Sequence, residues 1–170
     1  MIHPEFFFNV CKKEDVDFFS GVPDSLLKNI CSYIADNTSP ESHIIAANEG
    51  NALAIGIGYH LSTGKVPLIY MQNSGLGNVI NPLLSLADLD VYSTPLLMMI
   101  GWRGEPGIKD EPQHKKQGRV TVALLEAMEI PYRVLTADSN TKEVEAALKT
   151  MLSIAKKENK PCALLIKKNL

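Results

Sequence analysis

Short apolar runs alternate with longer amphipathic segments along almost the whole chain, and few folds accommodate that order. The spacing predicts a helix over residues 4–14, with Phe7, Val10 and Cys11 on one side and Pro4 in the first turn. Phe18-Phe19 reads as a strand running into the turn Gly21-Val22-Pro23, after which Asp24 or Ser25 is placed to cap a helix bearing Leu26, Leu27, Ile30, Tyr33 and Ile34. A polar loop at 37–42 precedes a strand at 43–47. Asn48-Glu49-Gly50-Asn51 then opens a helix rich in Ala and Gly, which Gly64 ends.

The pattern continues with a strand at 66–71, a polar glycine-bearing loop at 72–78, and a helix carrying Val79, Ile80, Leu83, Leu84 and Leu86. A strand at 95–101 leads into 103–117, which reads as one long irregular stretch rich in charge, Gly and Pro. A helix at 118–129, a strand at 132–135, a helix at 141–157 and a strand at 163–166 complete the chain. Six strands separated by helices predict an α/β domain in three layers: a six-stranded, mostly parallel sheet with helices on both faces, spanning residues 1–170 as one unit.

Composition narrows the function classes. A formal net charge of -2 with 21% charged residues offers no basic surface for nucleic acid. No apolar run approaches the roughly 18 residues of a membrane span. Cys11, Cys31 and Cys162 are odd in number and lack CxxC spacing, and His3, His43, His60 and His114 are scattered, so neither a disulfide framework nor a metal site of the chain's own is expected. With no secretory signal pattern at its start, the chain reads as cytoplasmic.

Ligands of open α/β sheets bind beyond the carboxyl ends of strands. Here those ends read Gly21-Val22-Pro23-Asp24-Ser25, Asn48-Glu49-Gly50-Asn51, Gln72-Asn73-Ser74-Gly75-Leu76-Gly77-Asn78 and Gly101-Trp102-Arg103-Gly104-Glu105. Glu49 lies between an apolar strand and a small-residue helix, where burial would raise its pKa and let it share a proton with a nitrogen base. Position alone favours the other reading, a first-turn glutamate that simply complements the helix dipole. Neither Gly56-Ile57-Gly58 nor Gly75-Leu76-Gly77 completes a dinucleotide fingerprint. Arg103, Lys109, His114, Lys115, Lys116 and Arg119 make residues 103–119 locally basic, either as a solvated loop or as a means of capturing a small anion.

These segments, in this order, resemble the pyrimidine-binding (Pyr) domain of thiamine-diphosphate enzymes, in particular the phosphonopyruvate decarboxylase branch, which is near the α subunit of sulfopyruvate decarboxylase. The resemblance rests on Gly21 to Leu27, Asn48 to Ala52, Met71 to Asn78 with Asn81-Pro82-Leu83, and Gly101 to Gly107 with Asp110 to His114. It implies a lyase that decarboxylates 3-phosphonopyruvate to phosphonoacetaldehyde, or in the alternative 3-sulfopyruvate; a non-catalytic module of the same fold is the reading of another class. Glu49 stands where the family glutamate meets N1′ of the cofactor's aminopyrimidine, which settles its two readings toward catalysis. Asn73, Ser74 and Gly75 match the loop that approaches the pyrimidine. Asp24 and Ser25 match the family's substrate-side acid or hydroxyl positions, Asp24 taken for proton transfer and Ser25 for holding the substrate. Gln113 and His114 fall where related decarboxylases carry active-site histidines, His114 taken for proton transfer and Gln113 for the substrate. Arg103 and Lys109 are assigned to the phosphonate because a dianion needs cationic partners.

The family's Gly-Asp-Gly motif, which holds Mg²⁺ and the diphosphate, does not occur in this sequence. The resemblance therefore implies a partner: a diphosphate-binding (PP) domain or β subunit in a homo- or hetero-oligomer, with the active site formed between chains.

Overall fold

A computed structural model describes residues 3–167. In chain order the elements are α1 (Pro4–Lys13), β1 (Phe19–Gly21), α2 (Lys28–Asp36), β2 (His43–Ile45), α3 (Glu49–Thr63), β3 (Leu68–Gln72), a 3-10 turn (Asn73–Gly75), α4 (Leu76–Pro82), a π turn (Leu83–Ala87), β4 (Leu96–Trp102), α5 (Pro112–Ala127), β5 (Tyr132–Leu135), α6 (Thr141–Glu158) and β6 (Pro161–Lys167). The strands form one six-stranded sheet in the order β2-β1-β3-β4-β6-β5. Every pairing is parallel, so the expectation of a mostly parallel sheet is met in its strictest form.

Period-two alternation sorts each central strand between two cores. Leu97 and Met99 of β4 face a core built with α1, α2 and α6, whereas Leu96, Met98 and Ile100 face one built with α3, α4 and α5. The three layers follow directly. All seven residues of β4 are buried, as a strand covered on both faces requires.

Helix ends obey local chemistry where it is strong. Asn48 caps α3 by accepting from Asn51 N, and Gly64 closes that helix in the left-handed conformation at φ 72°. Asn140 and Glu143 form a capping box on α6.

Three local expectations need correction. Helix α2 starts at Lys28, not at Asp24 or Ser25: the Asp24 carboxylate accepts from Leu26 N (3.1 Å) and Leu27 N (3.3 Å) and so shapes the turn ahead of the helix. The 72–78 segment is not a loop, because its 3-10 turn runs straight into α4. Nor does the irregular stretch reach residue 117, since Pro112 begins α5. In the last case polarity reported exposure rather than conformation, and Pro112 at the first helical position was the overlooked start signal.

Candidate active site at the carboxyl ends of strands β1 to β4

After β1 the chain places β2 to one side, then returns to lay β3 on the other side of β1, so the sheet's switch point lies between β1 and β3. The polar segments singled out in the sequence gather around it. They form two groups joined by one buried amide.

Glu49 begins α3 beside the start of α4, and the first group centres on it. Asn78 Nδ2 donates to Glu49 Oε2 at 2.7 Å; among the described residues Oε1 accepts no hydrogen bond. The half-buried carboxyl lies against the backbone of Gly75, where an added methyl carbon would stand 2.6 Å from Cδ and 2.7 Å from Oε1. Gly75 is thus the cradle that lets this carboxyl reach its place. Beside it, Ser74 Oγ accepts from Gln72 Nε2 at 2.8 Å.

The joining residue is Asn73, which is only 1% exposed. Its Nδ2 donates to Arg103 O (2.9 Å) and Thr121 Oγ1 (2.8 Å), while Oδ1 accepts from Arg103 N (3.1 Å). Both amide hydrogens are consumed in tying the end of β3 to the end of β4 and to α5. In this arrangement Asn73 positions its neighbours.

Asp24, Ser25, Arg103 and His114 make up the second group, with Asp110 between them. Arg103 Nη1 donates to Ser25 Oγ at 2.8 Å, and its Nε and Nη2 grip Asp110. His114 Nδ1 lies 3.0 Å from the same carboxylate. Two glycines permit this closeness. Gly104, at φ 68°, has no room for a methyl carbon, which would meet His114 O at 1.9 Å, and one on Gly118 would meet Gly104 O at 1.8 Å.

Asp24 is 5% exposed, and its Oδ1 has no hydrogen-bond partner. Burial pushes its carboxyl above the usual aspartate range, against the opposing effects of the Leu27 and Leu26 N–H groups and the Arg103 charge. A carboxyl raised in the folded state contributes stability that is fully present below about pH 4 and is lost as pH rises through its folded value. Asp24→Asn removes that loss. Thermal melts at several pH values should therefore show the variant gaining on the wild type as pH rises from 3 to 7, and parallel curves would contradict the buried-acid assignment. Asp24 and Ser25 also line a cleft of about 330 Å³ between α2 and β2, with Lys28, His43 and Tyr70.

Two expected residues are exposed. Lys109 is on the exposed part of the 103–111 loop, and Gln113 is exposed on the first turn of α5 with no hydrogen bond to the cluster. Asp110 and Asn78 were missed as site residues. Asn78 belongs to the quoted Met71 to Asn78 segment, but nothing local marks its amide as the partner of Glu49. Among the described residues no three His, Cys, Asp or Glu side chains are grouped to hold a metal, and no helix is long and apolar enough to cross a membrane.

This arrangement, a carboxylate at the switch point of a parallel sheet against a glycine cradle, coincides with a family match. Residues 4–130 match the model of the thiamine pyrophosphate enzyme N-terminal TPP binding domain, and the chain belongs to that family. More particularly, it is 36% identical over 116 residues to a phosphonopyruvate decarboxylase of Streptomyces viridochromogenes, covering 68% of this chain and 28% of that protein. It is 31% identical over 155 residues to the sulfopyruvate decarboxylase subunit alpha of Methanothermobacter thermautotrophicus, covering 91% of this chain and 89% of that subunit. The corresponding subunit of Methanocaldococcus jannaschii is 34% identical over 150 residues. Among solved structures, a candidate thiamin diphosphate-dependent enzyme from Mycobacterium smegmatis superposes with a TM-score of 0.67 at 18% identity, over 96% of this chain and 30% of that one. The chain thus spans under a third of the phosphonopyruvate decarboxylase and most of the sulfopyruvate decarboxylase subunit.

Proposed function

We propose that this chain is the pyrimidine-binding half of a thiamine-diphosphate-dependent carboxy-lyase that converts 3-phosphonopyruvate to phosphonoacetaldehyde and CO2. The carrying observation is Glu49: one oxygen fixed by Asn78, the other unengaged, the whole carboxyl laid on a glycine at the sheet's switch point. Such a group fits the aminopyrimidine nitrogen of thiamine diphosphate, with Ser74 and Gly75 as the adjoining wall. Bound, the cofactor supplies the electron sink for losing CO2 from a 2-oxoacid.

The protein's own part is orientation and proton handling. Glu49 holds a proton at the pyrimidine. Asp24 and His114 face the reacting end as acid and base, and Arg103 with Ser25 offers cationic and hydroxyl donors to the substrate's anionic group. Sulfopyruvate is the second reading, favoured by the extent of the match to the sulfopyruvate decarboxylase subunits. Sulfonate and phosphonate present similar oxygens to Arg103.

A partner completes the site in this proposal: a diphosphate-binding domain or β subunit that also holds Mg²⁺. Helix α3 is apolar around most of its circumference, yet one side is uncovered, with Leu61 55% exposed; Leu84, Leu89 and Tyr92 are exposed as well. An all-round apolar helix is normally buried, so this face fits a domain contact. The three cysteines are buried and unpaired, in keeping with a reducing cytoplasm.

Calorimetric titration of thiamine diphosphate with Mg²⁺ tests the reading. Binding is expected only when the diphosphate-binding partner is present, followed by turnover of phosphonopyruvate or sulfopyruvate. Tight binding to the chain alone would overturn the split site. No binding to an assembled complex would mean a non-catalytic module.

A further inference from the structure

We propose that Asp110 is the positioning residue that aims Arg103 at the anionic end of the substrate and fixes which nitrogen of His114 faces the site. This rests on the reading that a small anionic 2-oxoacid binds at the ends of β1 and β4.

The Asp110 side chain is 3% exposed. Its two oxygens accept from Arg103 Nε (2.9 Å) and Nη2 (2.6 Å), Gly104 N (2.9 Å), Glu111 N (2.8 Å) and His114 Nδ1 (3.0 Å). No other carboxylate among the described residues gathers so many groups, and three of the five donors belong to the candidate site residues Arg103 and His114.

The fork matters for what Arg103 can do. Of the roughly five N–H donors on a guanidinium, Asp110 takes one on Nε and one on Nη2, and Ser25 takes one on Nη1. The remaining outer N–H groups have no partner among the described residues. Gripped along its Nε–Nη2 edge by Asp110, a planar guanidinium has little freedom about its own axis, so those outer donors point in one direction. Its side chain is 17% exposed, enough for a ligand to reach.

The same carboxylate decides the histidine. Arg103 above all, then the Gly104 N–H, His114 and the Glu111 N–H, keep Asp110 far below the usual carboxylate range. An ionised carboxylate accepts only, so the shared hydrogen belongs to His114 Nδ1. Neutral His114 then leaves Nε2 bare, as a base requires. Only the backbone approach allowed by Gly104 and Gly118 brings this ring within reach.

The test uses this chain assembled with its diphosphate-binding partner, comparing wild type, D110N, R103Q and the double variant. Phosphonoacetate, an unreactive anion, is titrated by ³¹P NMR, and the His114 ring nitrogens are read by ¹⁵N NMR. D110N should weaken phosphonoacetate about tenfold, and the double variant should be no weaker than R103Q, because Asp110 acts through Arg103. His114 should show the Nδ1–H form in the wild type and a mixture in D110N. With phosphonopyruvate, KM should rise more than kcat falls, while KM for pyruvate, which lacks the phosphonate, stays within about twofold.

Unchanged phosphonoacetate affinity in D110N, or losses that add fully in the double variant, would overturn the proposal. So would a wild type that binds no phosphonoacetate. If D110N loosens the loop, R103K serves instead: it should weaken the anion while His114 keeps its Nδ1–H form, and unchanged binding there also overturns the idea. A wild-type complex that binds phosphonoacetate through Arg103, with D110N weakening it, but decarboxylates no 2-oxoacid would sink the decarboxylase reading and leave this one standing.

Discussion

Glu49→Gln should lower decarboxylation by the assembled enzyme by about 10²–10⁴-fold while leaving the fold and the partner contact intact. Glutamine keeps the size of the side chain and can still meet Asn78, but it has no carboxyl with which to share a proton at a ring nitrogen. The loss should fall on kcat, and cofactor affinity should change far less, because the diphosphate is held elsewhere in the proposed assembly. Exchange of the cofactor's C2 hydrogen with deuterated solvent gives a second reading, independent of substrate. If E49Q exchanges and turns over at the wild-type rate, Glu49 is a first-turn glutamate complementing its helix and nothing more.

Gly75→Ala should separate activity from stability in a way few glycine substitutions do. Gly75 sits in ordinary right-handed helical geometry, φ -70° and ψ -13°, so alanine meets no backbone strain and gains a few tenths to about 1 kcal/mol in helix preference. The new methyl carbon would, however, stand 2.4 Å from Glu49 Cγ and 2.7 Å from Oε1. A flexible side chain can swing away at small cost, but the carboxyl then leaves its place, and a displacement of about 1 Å at a reacting group can cost on the order of 10²-fold in rate. Denaturant unfolding should therefore show equal or slightly higher stability, with kcat down about a hundredfold. A variant that is both stable and fully active would show that the Gly75 contact does not set the position of Glu49.

The candidate site was only partly legible. Glu49, Asp24, Ser25 and Arg103 lie at the carboxyl ends of strands, as their places just after apolar runs implied, whereas His114, singled out by the family resemblance, reaches that end from the first turn of α5. Asn73 was legible as a site residue, but not as the amide that ties β3, β4 and α5 together. Asp110 was legible only as a member of the Asp110 to His114 segment, not as the carboxylate that holds Arg103 and His114. A carboxylate in a charged loop looks solvated, and its significance comes from Arg103 and His114 closing on it once Gly104 and Gly118 let α5 approach. Similarly, polarity made 112–117 look irregular although Pro112 starts a helix there.

By itself the sequence determined the order of elements, the layered α/β class and the family. Periodicity, glycine and proline placement, and capping are local properties that act over a few residues. Tertiary structure alone decided that β3 returns beside β1, that Asn73 clasps Arg103, and that one carboxylate holds Arg103 and His114 together. The reason is that a buried polar group takes whichever partner the packing of distant strands brings within about 3 Å, and no local period carries that information.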